Sequence, residues 1–263
     1  MSTPTASPYS NLDVLVVGAG FGGLYQLYNL RKLGYKVHLF ESGTDLGGIW
    51  YWNCYPGARV DSPIPIYEYS MEDLWKDWNW SEKFPGWEEL RAYFQYVEEK
   101  LQLKRDITFD ARVVSADWKE NEHRWVVTTA NGLIVKPKFL VLAMGFAAKR
   151  YIPPFPHIDS YKGICHHTSA WPEDLKANDF AGKKVAVIGT GASAVQVIQE
   201  VGPILGEQGN LTVFQRTPNF CLPMRQMKLN AEMQGKMKEV YPTIFKRRFQ
   251  TYGMFRLSLT PTF

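Results

Sequence analysis

Two stretches of the chain share one pattern: four aliphatic residues in a row, a glycine-rich turn, then apolar residues at helical spacing. In the first, DVLVVGAGFGG, the run from Val14 to Val17 shows no polar alternation, which predicts a parallel strand buried on both faces. Leu24, Leu27 and Tyr28 then fall on one face of a helix, and Gly34 stands where a left-handed C-terminal cap belongs. Residues 36–40 predict a second strand that ends at Glu41. In the second stretch, KKVAVIGTGASAVQVIQEVGP, 185–188 reads as the strand, and Ala194, Val197, Ile198 and Val201 share a helix face that Gly202-Pro203 terminates. Between the two, alternating segments at 107–114, 125–129 and 133–135 predict a small antiparallel insert, with Asn131-Gly132 as its hairpin turn. The run FLVLAMG predicts a further buried strand leading out of the first unit.

The turns carry candidate chemistry. In Gly18-x-Gly20-x-x-Gly23, the first glycine permits a tight turn, the second lets backbone approach a pyrophosphate, and the third lets helix and strand pack closely. The helix N-terminus then offers amide donors to phosphates. Glu41, at the end of the next strand, suits an adenosine ribose and would repel a 2′-phosphate, so this unit is expected to take FAD or NAD and not NADP. The second loop, Gly189-Thr190-Gly191-Ala192-Ser193-Ala194, repeats the design, but the following strand ends in Gln215-Arg216-Thr217 with no acid. A guanidinium and a hydroxyl at that place can hold a 2′-phosphate, which points to NADPH. A chain needs both FAD and NADPH when hydride enters a flavin from a nicotinamide and the flavin then does further chemistry.

Composition narrows the classes without changing that picture. Hydrophobic residues make up 45% of the 263 and charged residues 21%, the balance of a globular protein. A net charge of +4 is too mild to argue for nucleic acid. No apolar run approaches a membrane span, and the start MSTPTASPYS does not read as a signal peptide, so a cytoplasmic location is expected. Three unpatterned cysteines suit a reducing compartment. Trp50, Trp52, Trp75, Trp78 and Trp80 cluster in the sequence, as either an aromatic ligand cleft or a packed core.

YKGICHHTSAWP places Cys165 beside His166 and His167. Only Cys165 and His167 would share a face of an extended segment, and no third ligand stands at a plausible spacing, so no metal is expected. A Cys-His nucleophilic dyad needs spatial adjacency that sequence adjacency does not supply. The stretch instead matches a linker fingerprint through Tyr161, Gly163, His167, Trp171 and Pro172, flanked by GAGFGG upstream and GTGASA downstream. With GGIWYWNCYPGARVDSP and VFQRTPNF, it makes the chain resemble the Baeyer-Villiger monooxygenases, the class B flavoprotein monooxygenases, from residue 12 to about 255. Tyr161 replaces the usual Phe, Cys54 the usual Arg, Val60 the usual Cys, and AMG at 143–145 the usual ATG.

The resemblance implies an α/β fold of two Rossmann-like dinucleotide-binding domains, for FAD and NADP, with a small antiparallel β insert, C-terminally truncated. It implies a polar tail at 1–11, the first part of an FAD domain at 12–149, a linker at 150–172, the first half of an NADP domain at 173–222 and the start of a helical insertion at 223–263. By the same resemblance Glu41 binds the FAD ribose, Ile49, Trp50 and Tyr67 contact the flavin, and Val113 meets the adenine through its backbone. Asp61 lies near flavin and nicotinamide as the catalytic candidate, and Arg59 helps hold NADP. Gly163, His167 and Trp171 couple NADP binding to domain movement. The implied reaction is NADPH-driven insertion of one oxygen atom of O2 beside a ketone, giving an ester or lactone. The family's active-site arginine and a segment that returns to the FAD domain have no counterpart in the sequence, so the expectation is a fragment of such an enzyme, a chain that a partner chain completes, or else a non-catalytic remnant. An N- or S-oxygenase of the related flavin-containing group is a further alternative, and the ketone itself is not readable.

Overall fold

The structure, a computed structural model, describes Tyr9, residues 11–248 and Gln250. The rest of the polar tail and the closing LSLTPTF lie outside the described residues.

Aliphatic runs without polar alternation form the first sheet. Strands β1 (Val14–Val17), β2 (Val37–Phe40), β3 (Ile107–Thr108) and β7 (Phe139–Leu142) lie parallel in the order β3-β2-β1-β7. Helix α1 (Phe21–Lys32) crosses from β1 to β2 and ends as its sequence predicts, with Gly34 at φ +87° and its N–H returned to Arg31 O. The antiparallel insert consists of β4 (Val113–Lys119), β5 (Arg124–Thr129) and β6 (Ile134–Val135). The single strand expected over 107–114 is therefore two strands in different sheets. Asp110, at φ +53°, breaks the chain between them, and a left-handed residue cannot continue either ladder. Most of β4, VVSADWK, is exposed, although Val114, Ala116 and Trp118 alternate with Ser115, Asp117 and Lys119, so its apolar face covers no core.

Behind the first sheet lies α4 (Trp87–Leu101), whose Leu90, Tyr93, Phe94 and Val97 recur at helical spacing and are all buried. Two short helices, α2 (Ile49–Trp52) and α3 (Glu72–Trp75), pack against it with Trp50, Trp75 and Trp80 buried. The tryptophan cluster is thus mostly core; Trp52 is exposed.

The second unit has β8 (Lys184–Ile188) paired in parallel with β9 (Asn210–Phe214), and α5 (Ala192–Val201) between them, stopping at Gly202 as predicted. The chain then returns to the first unit. Lys83 N–H donates to Met227 O and Leu229 N–H to Ser81 O, and α6 (Ala231–Arg248) buries Tyr241 and Phe245 against Trp75.

One expectation fails in degree. The strand β7 is not fully buried: it is an edge of its sheet, with Phe139 and Leu142 both 58% exposed. Ile188 of β8 and Phe214 of β9 are likewise 63% and 56% exposed.

Candidate functional site

The first glycine loop leaves β1 at its carboxyl end, in the crevice of an open parallel sheet where ligands characteristically bind. Gly18 sits at φ +104°, and a Cβ there would stand 2.7 Å from Ala143 O at the end of β7. At Gly23 a Cβ would stand 1.8 Å from Gly18 O, so helix and turn touch backbone to backbone. A Cβ on Gly20 would face Gly48 Cα at 3.4 Å, and one on Gly48, at φ +59°, would face Gly20 Cα at 2.8 Å. The Gly47-Gly48 turn before α2 is thus packed on the first loop, a contact that sequence spacing did not reveal.

Both glycine-headed helices fit a phosphate by the same test. The N-caps, Gly20 of α1 and Gly191 of α5, make no side-chain capping bond, and neither first turn contains an acid. Their first amides and the positive end of each helix dipole are left for an anion. Around Gly189 (φ +103°) and Gly191 a Cβ would meet nothing, so the second loop is open. Thr190 is held to the end of β9, its Oγ1 accepting from Gln215 Nε2 at 2.8 Å and its carbonyl from Asn219 Nδ2 at 3.2 Å. Arg216 and Thr217 are exposed beside it, as are Ala192 and Gly191, while Ser193 and Ala194 are half-buried on the helix.

Glu41 is 5% exposed and already engaged by its own chain. Its Oε2 accepts from Ala19 N–H at 2.7 Å, and its Oε1 accepts from Gly43 N–H at 2.8 Å and Ser42 Oγ at 3.1 Å. A carboxylate offers about four acceptor positions, so a ribose hydroxyl can still share it. Its first task is to close the glycine loop on β2. Glu41→Ala would orphan two buried amides, at about 1–3 kcal/mol each, so a lowered melting temperature is expected even without added nucleotide. An unchanged melting temperature would leave Glu41 a ligand contact alone. Val113 opens β4 at a register shift opposite Thr129, and Ala111 N–H, nearby, donates to Glu41 O at 2.8 Å.

Trp50 is buried, and its Nε1 donates to Tyr67 Oη at 3.1 Å; Ile49 beside it is exposed. Asp61 is exposed and makes no hydrogen bond or ion pair to the described residues. Burial pushes the Tyr55 and Tyr67 hydroxyls up, and the nearby Asp61 charge pushes both the same way. Arg59 pairs with Glu82 at 3.2 Å, and Glu82 also accepts from Gln226 Nε2 at 2.7 Å.

The two units meet through groups the sequence did not single out. Tyr55 Oη donates to Gln196 Oε1 at 2.8 Å and lies 3.1 Å from Ser193 Oγ, and Gln196 Nε2 donates to Arg59 O at 3.1 Å. Gly57, at φ +79°, leaves room for Gln196 O and the Glu200 side chain. Arg91 donates to the carbonyls of Trp50 and Tyr51, pairs with Glu173 at 2.8 Å and stacks over Trp87, so α2, α4 and the start of the second unit share one guanidinium. In the sequence, YPG and a glutamine set amid aliphatics in AVQVIQEV are local signals of this contact.

In the linker, His167 caps a short turn: its Nδ1 accepts from Ser169 N–H at 3.1 Å. Trp171 packs on Phe180, donates to Leu175 O at 2.8 Å and accepts from the Cys54 thiol through its carbonyl at 3.3 Å. Gly163 lies beneath the Tyr161 ring. Among the described residues, no group of three His, Cys, Asp or Glu could hold a metal ion.

Comparison with known proteins gives these features a setting. The profile of the pyridine nucleotide-disulphide oxidoreductase family matches residues 12–240. The chain is 48% identical over 241 residues to the FAD-binding monooxygenase acrE of Aspergillus aculeatus, covering 92% of this chain and 40% of that protein. It is 48% identical over 244 residues to cyclopentanone 1,2-monooxygenase of a Comamonas species, covering 93% and 44%. Among solved structures, OTEMO in complex with FAD and NADP superposes with a TM-score of 0.86 at 37% identity, covering 91% of this chain and 45% of that one. The chain thus spans less than half the length of the relatives it matches.

Proposed function

The chain belongs to the pyridine nucleotide-disulphide oxidoreductase family, with ketone-oxidising, Baeyer-Villiger-type FAD monooxygenases as its relatives, and on that footing we propose that it forms the two nucleotide-binding units of such an enzyme. The proposed activity of the whole is NADPH-driven insertion of one oxygen atom of O2 beside a small-molecule ketone, giving an ester or lactone. One observation carries this reading: two uncapped, glycine-headed helices, one per unit, joined by the Tyr55-Gln196-Arg59 contact. A single-nucleotide protein needs only one such helix.

When bound, FAD supplies oxygen activation and NADPH the hydride. The chain's own residues bind and orient. Gly18, Gly20 and Gly23 with the α1 amides take the FAD pyrophosphate, Glu41 shares its remaining acceptor positions with the ribose, and Val113 lends backbone to the adenine. Ile49, Trp50 and Tyr67 contact the flavin, Tyr67 fixed by the Trp50 hydrogen bond. The exposed Asp61 is the proposed catalytic carboxylate, free to meet a basic group from outside the described residues. The second loop and the α5 amides take the NADP pyrophosphate, with Arg216 and Thr217 on the 2′-phosphate. Arg59 helps hold NADP, its carbonyl receiving Gln196 and its guanidinium pairing with Glu82. Gly163, His167 and Trp171 seat the linker. The division into 12–149, 150–172, 173–222 and 223 onward is retained on this basis.

The exposed apolar residues of β7, β8 and β9 favour a further covering segment or a partner chain, from which the ketone pocket would be completed. No helix among the described residues is long and apolar enough to cross a membrane, and a cytoplasmic setting is proposed from the cysteine usage.

The direct test is an absorbance spectrum of the chain supplied with FAD, followed by anaerobic NADPH. A retained flavin band that bleaches supports the reading; failure to retain flavin sinks it. In a preparation that binds both cofactors, Arg216→Ala should weaken NADPH at least tenfold more than NADH, the loss of about one charge-assisted phosphate contact. Equal losses would remove Arg216 from the 2′-phosphate site.

A further inference from the structure

Between α6 and the first unit runs a seam of buried polar groups that neither nucleotide loop uses. Glu68 is 5% exposed; Trp80 Nε1 donates to its Oε2 at 3.2 Å, while its Oε1 has no hydrogen-bond partner among the described residues. Across the seam, Tyr241 of α6 is fully buried, and its hydroxyl makes no hydrogen bond of good geometry although it lies near enough to Glu68 for the two to influence each other's ionisation. Gln234, 1% exposed, and Trp78 also bury polar atoms without partners. Gln234, Lys238 and Tyr241 recur four and three residues apart, so they share the α6 face turned to this segment. Lys238 Nζ spans the gap, donating to Lys76 O at 3.0 Å and Asn79 Oδ1 at 2.9 Å.

A seam of orphaned groups is costly with a charge in it and tolerable without one, because desolvating a carboxylate costs far more than desolvating a neutral acid that can donate. We propose that α6 is held on the first unit by a proton-dependent latch, in which Glu68 is kept as a neutral carboxyl within the buried polar seam it shares with Tyr241, and that α6 loosens when that proton is lost to solvent.

The groups facing Glu68 fit this assignment. From α4 come Tyr93 and Tyr96, and from α6 Tyr241, phenols that are neutral near pH 7 and whose hydroxyls burial pushes further up. Lys238 is the cation that would favour the carboxylate, but burial lowers its own affinity for a proton and its ammonium is directed to Lys76 and Asn79, with Asp77 close by. Burial is the largest influence on Glu68 and raises its pKa from 4.5 to about 7, against smaller opposing effects of Trp80, Tyr241 and Lys238. With the docked-state value raised, docking is strongest below pH 4.5, weakens as pH rises and has lost this contribution above about 7.

Hydrogen exchange of the α6 amides in the 263-residue chain, corrected for intrinsic rates, tests the latch. Protection is expected to fall on the order of a hundredfold between about pH 5 and pH 8 in the wild type, and to stay level in Glu68→Gln, whose amide donates at every pH. A wild-type profile that stays flat, or an equal slope in the variant, overturns the proposal. Should Glu68→Gln not fold, infrared difference spectra of the wild type decide: a protonated carboxyl band must disappear between the same pH values, where ordinary carboxylates remain ionised. Absence of that band overturns it as well. No seam residue belongs to either glycine loop, so the test stands apart from the nucleotide assignment.

Discussion

Gly23→Ala should abolish FAD retention and destabilise the chain by about 3 kcal/mol or more. The added methyl would stand 1.8 Å from Gly18 O and 3.4 Å from Ala143 Cβ. The oxygen it meets is backbone, so no side chain can rotate away; α1 must lift from β1. Lifting α1 moves the amides of its first turn out of the crevice and breaks the approach of Ala19 to Glu41. Gly22→Ala is the control, because a Cβ there meets nothing within 4 Å. In a helix that change is worth up to about 1 kcal/mol of added stability. Thermal unfolding and flavin content measured on both variants check the claim, and similar behaviour of the pair would refute close packing as the cause.

Gly57→Ala should separate the two units while sparing the first. The position has φ +79°, and a Cβ would stand 2.6 Å from Glu200 Cγ and 2.8 Å from Gln196 O. Glu200 can swing aside; the Gln196 carbonyl is part of α5 and cannot. Left-handed strain at a non-glycine residue adds about 1–2 kcal/mol, and displacing α5 pulls Gln196 from Tyr55 and Arg59. Flavin should still be retained, because the first loop is untouched. Reduction of that flavin by NADPH should slow about tenfold or more, as a loss of only about 1.4 kcal/mol in positioning suffices. Limited proteolysis near residues 172–183 should quicken in parallel. Reduction at the wild-type rate would show that the seating of α5 does not govern transfer between the sites.

These variants act at glycines of different legibility. Gly23 stands in a spaced motif between a strand and a helix, and its role follows from neighbours a few residues away. Gly57 looks like an ordinary turn residue in YPG until α5, nearly 140 residues later, is laid against it. Glu41 falls between the two. Its place at the end of β2 was readable, but its bonds to Ala19 and Gly43 required the loop to be folded over it. Arg59 reads as a nucleotide ligand in sequence and pairs with Glu82 in the fold. Alternating apolar residues make 107–114 look like one strand, whereas the left-handed Asp110 divides it between two sheets.

Local chemistry, then, was determined by the sequence alone: which runs become parallel strands, where helices start without caps, where glycine is required, and which strand end carries an acid and which an arginine. Those properties depend on sterics and periodicity over a few residues. Tertiary structure alone decided that most tryptophans of the 50–80 region form core while Trp52 is exposed, that Gln196 and Arg91 join the units, that Asp61 stands exposed, and that α6 closes over Glu68. Each of those outcomes depends on which distant surfaces exclude water from one another. Burial sets the cost of a charge and the worth of a hydrogen bond, and no local pattern in the chain records it.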